Sequence, residues 1–147
     1  MKKVELPMDV NAIQKSIPHR YPFLLVDRVL DMNLEEKSIR ANKCISIADP
    51  ILQGHFPNMP VVPGVIIVEG LAQAAGILGD HLLENGLSTC LLTEITKARF
   101  KRQVVPGDVI EYEVKESRKR SPFYWFSATA KVDGELAVEV TLSALIK

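Results

Sequence analysis

Cysteine is scarce in this chain: Cys44 and Cys90 are the only two in 147 residues. They lack metal-ligand spacing, and the opening MKKVELPMDV has two lysines but no apolar signal-peptide core. The expectation is a cytoplasmic protein with reduced thiols, no disulfide framework, no metal and no cofactor. Net charge is missing too, because 18 basic residues balance 18 acidic ones. That argues against a broad nucleic-acid footprint and leaves room only for local patches. No apolar run reads as a membrane span, since Glu69, Gln73, Asp80 and three glycines interrupt the one candidate. Internal repeats and low-complexity linkers are absent as well. The length fits one domain, 1–147, able to bury about 68–70% of the surface its unfolded form exposes.

What the chain does have is the stretch Leu52–Gly79, LQGHFPNMPVVPGVIIVEGLAQAAGILG. Pro57, Pro60 and Pro63 stiffen its first half, so His55 is expected to be held in place. Pro63 suits the first position of a helix, and the N–H of Gly64 then falls among the unpaired donors of the first turn, where it can serve an oxyanion. From Val65 to Leu83 apolar residues surround the helix axis, the pattern of a buried core helix. Glu69, Gln73, Gly76 and Asp80 fall at i, i+4, i+7 and i+11, a narrow stripe that predicts a polar cavity facing Glu69.

Around this helix the pattern predicts strands. Asp9 caps a short amphipathic helix carrying Val10, Ile13 and Ile17, which Pro18 ends. Phe23–Leu30 reads as a β-like run and Asp31–Ser38 as a turn. Ile39, Ala41, Ile45 and Ile47 face inward on the next strand, with Lys43 as the mismatch. Asn85-Gly86 stops the central helix, and Cys90–Arg102 reads as a long strand. Ile110, Tyr112 and Val114 alternate on a further strand, followed by a turn over Glu116–Ser121. Tyr124, Phe126, Ala128, Ala130 and Val132 then lead through the hairpin signal Asp133-Gly134 to an inward face of Leu136, Val138, Val140, Leu142, Ala144 and Ile146. The sum is an α+β domain in which a curved antiparallel sheet wraps one long helix, and its open sheet edge predicts a dimer.

Three segments resemble one family in order and over nearly the full length: IPHRYPFLLVDRVL (Ile17–Leu30), GHFPNMPVVPGVIIVEGLAQ (Gly54–Gln73) and KARFKRQVVPGD (Lys97–Asp108). They are similar to the bacterial 3-hydroxyacyl-[acyl-carrier-protein] dehydratases of the FabZ type. The resemblance implies a hot-dog fold, homodimers commonly assembled as a trimer of dimers, and two active sites per dimer interface. It implies a hydro-lyase of type II fatty acid synthesis that turns 3-hydroxyacyl thioesters into trans-2-enoyl thioesters. By that similarity His55 and Glu69 are the catalytic pair, contributed by different subunits, and the Gly64 N–H binds the thioester carbonyl.

The chemistry fits these residue types independently. Elimination across C2 and C3 needs a base, a proton for the departing hydroxyl, and stabilisation of charge on the carbonyl oxygen. Histidine, with an ordinary pKa of ~6.5, accepts a proton at neutral pH. A desolvated glutamate keeps one, although a helix N-terminus nearby pulls the other way.

Gln73 is read as a supporting side chain, and His19 and Arg20 as a packed loop beside the tunnel or dimer edge. The basic residues Lys97, Arg99, Lys101 and Arg102, and Arg118, Lys119 and Arg120, are candidates for docking an acidic acyl carrier protein. If the strand is regular, Lys97, Arg99 and Lys101 share a face. Competing readings are a hot-dog thioesterase, a dehydratase that also isomerises its product, and a non-catalytic acyl-thioester sensor, which would need an effector segment before Val4 or after Ile146. Gly70, where the family commonly has alanine, is expected to loosen the helix by about 0.5–1 kcal/mol.

Overall fold

The computed structural model describes residues 4–147. Helix α1 (Val10–Ser16) precedes strands β1 (Arg28–Asn33) and β2 (Ser38–Cys44); a short 3-10 turn (Pro50–Gln53) leads to α2 (Gly64–Leu82), and β3 (Cys90–Phe100), β4 (Val109–Arg120), β5 (Phe123–Val132) and β6 (Glu135–Ile146) follow. The six strands form one antiparallel sheet in the order β1-β2-β4-β5-β6-β3, wrapped around α2.

The period-two patterns decide the sheet's inner face. Ile110, Tyr112 and Val114 on β4, all five alternating residues of β5, and Val138, Val140, Leu142, Ala144 and Ile146 on β6 are buried. Against them lies α2, with Ile67, Leu71, Ala74, Ala75, Ile77 and Leu78 nearly inaccessible. Burying apolar side chains at roughly 25 cal/mol per Å² makes this contact the main stabilising one. By length and composition α2 could cross a membrane, contrary to the expectation that no run would qualify, but 67% of its 18-residue apolar window is buried inside the protein, as in the core helix of a soluble domain. Asp9 caps α1 as expected, accepting from the Ala12 N–H at 2.9 Å. Asp133 and Gly134 both have positive φ, the geometry of a tight hairpin.

Several boundaries differ from the sequence pattern, each for a physical reason. The apolar run Phe23–Leu30 is strand only from Arg28, and β1 continues to Asn33. Its first half needs no strand partner, because side chains bond its backbone: Leu25 N–H to Gln73 Oε1, Gln73 Nε2 to Phe23 C=O, and Tyr112 hydroxyl to Leu25 C=O. The turn is correspondingly shorter, Leu34–Lys37. Strand β2 ends at Cys44, which leaves Ile47 exposed; Lys43 is held 3.5 Å from Asp49. Pro63 caps α2 from outside and Gly64 is its first helical residue. Val10 is exposed although Ile13 and Ile17 are buried. Strand β4 runs on through Glu116–Arg120, and the chain turns at Ser121-Pro122.

Strand β3 ends at Phe100 and is a sheet edge with Leu91, Leu92, Ile95 and Phe100 all exposed. Two register shifts, at Leu92/Glu94 and Thr96/Arg99, each insert one extra residue, and Lys97 sits at φ 54° in the second. Simple alternation fails there: Thr96 and Arg99 lie opposite Thr141 and Glu139 on one face. Lys97 and Arg99 therefore do not share a face by strand alternation.

Candidate active site

The loop carrying His55 is closed by its own backbone. His55 C=O accepts from Val61 N–H at 2.9 Å, Phe56 and Met59 exchange two bonds, and Val62 N–H reaches Val104 C=O at 2.8 Å. Asn58 takes positive φ at the tip. His55 is half-buried, with its ring stacked on Phe56. Its Nδ1 lies 2.8 Å from the Val61 carbonyl oxygen. A carbonyl only accepts, so Nδ1 carries the proton and Nε2 presents a lone pair, the tautomer a general base requires. The sequence offered no sign of Val61's part, because a backbone carbonyl leaves no trace in residue type.

Gly64 opens α2 beneath the ring of Phe100. A Cβ there would lie 2.5 Å from Phe100 Cδ1 and Cε1, so glycine permits the close approach. The first N–H groups of the helix make no intrahelical bond, which leaves this terminus suited to negative charge.

Glu69 lies five residues further along α2, partly buried, and lines a cavity of ≈ 40 Å³ with His19, Gln73, Gly76, Cys90 and Leu92. Glu69, Gln73 and Gly76 of the stripe predicted from sequence thus face this cavity, whereas Asp80 does not line it and accepts instead from Ser16 Oγ and the Leu87 N–H. Burial pushes the Glu69 carboxyl above the usual range, and a hydrogen bond from Gln73 partly opposes it. The Cys90 thiol is pushed up to about 11, first by burial and then by Glu69. Gln73 is itself 1% exposed and clamps the Phe23–Leu25 loop to the helix. Its bonds are made within one chain. His55 is not among the residues lining the Glu69 cavity.

The basic candidates separate into two groups. Lys97, Arg99 and Lys101 are exposed near the Phe100 end of β3, opposite Val138 on β6. Arg102 is engaged, 3.2 Å from both Asp108 and Glu135. Arg118, Lys119 and Arg120 lie beside Phe123–Trp125, which pair with Ser143–Leu145 and so with the Leu91 end of β3. Arg118 covers the Trp125 ring at 4.2 Å and Lys119 approaches Tyr124 at 5.4 Å. Within one chain the groups stand about 25 Å apart along the strands. Among the described residues no cluster of His, Cys, Asp or Glu could hold a metal ion.

The FabA-like domain family matches residues 17–141. The 3-hydroxyacyl-[acyl-carrier-protein] dehydratase FabZ of Xanthomonas euvesicatoria pv. vesicatoria is 52% identical over 134 residues, 90% of this chain and 88% of that one. The chain belongs to the FabZ dehydratases of the FabA-like family. The FabZ of Xanthomonas oryzae pv. oryzae is 47% identical over 140 residues, 94% of this chain and 92% of that one. Among solved structures, the dehydratase heterocomplex ApeI:P from Xenorhabdus doucetiae superposes with a TM-score of 0.79 at 18% identity, covering 98% of this chain and 93% of that one. At that identity it shows the fold alone, the hot-dog arrangement of an antiparallel sheet wrapped on one long central helix.

Proposed function

We propose that the dehydration characteristic of FabZ enzymes runs here on His55 of one subunit and Glu69 of a second, within one hot-dog domain spanning 1–147. The observation that carries this reading is the course of β3. Its exposed apolar edge has the Glu69 cavity beside Cys90 and Leu92 at one end and Gly64 under Phe100 at the other. The His55 loop is tied to that second end through Val62 and Val104. Antiparallel pairing of β3 with its copy brings the Phe100 end of each subunit alongside the Leu92 end of the other. His55 then meets its partner's Glu69, and two sites form per dimer.

At such a site His55 Nε2 takes the C2 proton of a 3-hydroxyacyl thioester. The C2–H pair becomes the new C2=C3 bond as the C3–O bond breaks, and Glu69 gives its proton to the departing hydroxyl, which leaves as water. The Gly64 N–H, at the positive end of α2, offsets the charge developing on the thioester oxygen; loss of such a donor in other enzymes costs about 2.7–4 kcal/mol. Glu69 is suited to the acid's part because burial favours its protonated form.

The acyl group is carried on an acyl carrier protein. In the dimer, Lys97, Arg99 and Lys101 of the subunit giving His55 and Arg118, Lys119 and Arg120 of the subunit giving Glu69 flank the same site, a basic rim for an acidic carrier. Exposed Ile47, Ile51, Phe56 and Met59 offer an apolar surface for assembling dimers into a trimer of dimers. The enzyme is assigned to the cytoplasm.

The test is turnover of 3-hydroxybutyryl and crotonyl carrier-protein thioesters by the native protein, His55→Ala, Glu69→Gln, and an exchanged mixture of the two variants. Each variant alone is inactive, while mixed dimers hold one intact site, so the mixture regains up to about a quarter of native activity. Inactive variants with no recovery in demonstrated mixed dimers would overturn the shared site. A native protein that only releases free thiol would replace the dehydratase with a thioesterase.

A further inference from the structure

The ring of Phe100 ends the exposed edge of β3 and lies directly on Gly64, yet Phe100 is 55% exposed. One side of it is therefore packed on the helix terminus that offers the oxyanion N–H, and the rest is open. A second apolar surface stands at the other end of the same edge. Phe23 is 45% exposed beside Glu69: its carbonyl oxygen accepts from Gln73 Nε2 at 2.8 Å, and Gln73 also bonds Glu69. The Phe23 ring stacks on His19, with centroids 6.3 Å apart, and His19 lines the Glu69 cavity with Leu92. Phe23 is presented rigidly, because its N–H bonds the Arg20 carbonyl at 2.8 Å and the Arg20 guanidinium holds the carbonyls of Gln14, Ile17 and His19. Leu92 and Phe100 lie opposite Ala144 and Val138, which are both buried, so both point to the helix side of the sheet. Single exposed apolar side chains are ordinary, but Phe100, Ile95, Leu92 and Leu91 run along one edge and Phe23 extends them past its far end.

We infer that Phe100 is a positioning residue that acts across the dimer: its ring, seated on Gly64 of its own chain, packs against Leu92 and Phe23 of the partner subunit and so fixes the Gly64 N–H relative to the partner's Glu69. The inference rests on the shared site proposed above. Antiparallel pairing of two β3 edges sets Phe100 beside the partner's Leu92 on the same side of the sheet, where cross-strand neighbours approach to about 4.5–5.5 Å between Cβ atoms. Phe23 of the partner subunit stands next to that pair, across His19 of the partner subunit. The oxyanion donor and the acid belong to different chains, so their spacing is set only by contacts between subunits. A misplacement of about 1 Å in such a spacing can cost ~10²-fold in rate. A phenyl ring suits the task, being large and having only two side-chain torsions to immobilise.

Mixed dimers read this out. In a dimer of one Glu69→Gln chain and one His55→Ala chain, the intact site takes His55, Gly64 and Phe100 from the first and Glu69, Leu92 and Phe23 from the second. Phe100→Ala is placed on either chain in turn, so the two mixtures lose the same dimer contact and differ only in whether the live site is touched. Light scattering and circular dichroism check assembly and folding, and turnover of crotonyl carrier-protein thioester gives kcat. The inference expects kcat to fall about tenfold further with Phe100→Ala on the Glu69→Gln chain than with it on the His55→Ala chain. Phe100→Leu, which keeps most of the apolar bulk, should restore most of that difference. Phe23→Ala on the His55→Ala chain should cost about tenfold by itself but little more on top of Phe100→Ala in the other chain, because both remove one contact. Equal losses from either chain, or losses of F100A and F23A that multiply to about a hundredfold, overturn the inference and leave the shared site standing. If mixed dimers without these substitutions regain no activity, the shared site falls and this inference with it.

Discussion

The hydroxyl of Tyr112 occupies the space that a Cβ at Gly70 would need. The same hydroxyl donates to the Leu25 carbonyl at 3.0 Å, so one buried tyrosine ties helix, sheet and loop together. Gly70 is thus more than a weak helix residue, and an alanine would not simply recover the propensity cost expected from sequence.

Gly70→Ala is expected to destabilise the protein by about 1–3 kcal/mol, the range for overpacking, which exceeds the ~0.5–1 kcal/mol gained in helix propensity. In a Tyr112→Leu background the same change should be neutral or stabilising, because the ring is gone. A double-mutant cycle from urea unfolding measures the coupling, and additive effects would refute the steric account.

Gln73→Leu removes the partner of both the Leu25 N–H and the Phe23 carbonyl in a nearly inaccessible place. Leaving such groups unpaired costs about 1–3 kcal/mol each, so a loss of several kcal/mol is expected. It also removes the bond that favours ionised Glu69, so the alkaline limb of kcat should move upward. Denaturant unfolding and a pH-rate profile check the two effects separately.

Glu69 should make folding weaker as pH rises. Its folded carboxyl binds a proton more tightly than the unfolded one, so its contribution is fully favourable below the ordinary carboxylate pKa and is lost as pH rises through the raised value. Glu69→Gln is therefore expected to be more stable than the native protein at neutral pH, with the advantage vanishing near pH 4. An advantage that does not change with pH would contradict this.

Ile95 is 47% exposed on the β3 edge of the single chain. Ile95→Lys should leave that chain folded while placing two charges in the proposed dimer contact. Light scattering is expected to report monomers at micromolar concentration, with turnover down by at least about 10²-fold although His55 and Glu69 are intact. Active monomers would mean that a single chain completes the site.

Much of this was readable from residue types in order. Period-two runs located the inner faces of β4 and β5 and that of β6 from Val138 on, a register shift leaving Leu136 half-buried and Ala137 inside; Asp133-Gly134 located the β5–β6 hairpin, and Glu69, Gln73 and Gly76 of the stripe located a polar cavity in an apolar helix. Features fixed by partners distant in sequence were not readable. Phe23–Asp27 has strand composition, but Gln73 and Tyr112, about 50 and 90 residues away, satisfy its backbone. The bulge at Lys97 depends on register against β6, and lysine gives no hint of positive φ. His19 carried a signal of sorts, an imidazole between prolines and aromatics, but only the fold puts it in the lining of the Glu69 cavity.

The two irregularities in β3 also bear on what the protein does not become. A long exposed edge with apolar side chains is ordinarily a template for open-ended strand addition. Here the edge carries two bulges, so a copy must match a particular contour, and the two-fold pairing proposed above would consume that edge on both molecules at once. The opposite margin of the sheet is already engaged at Val29, whose N–H and C=O both bond Met8. A sheet paired in that proposed way would double once, and the doubling would leave no equivalent edge from which a fibre could grow.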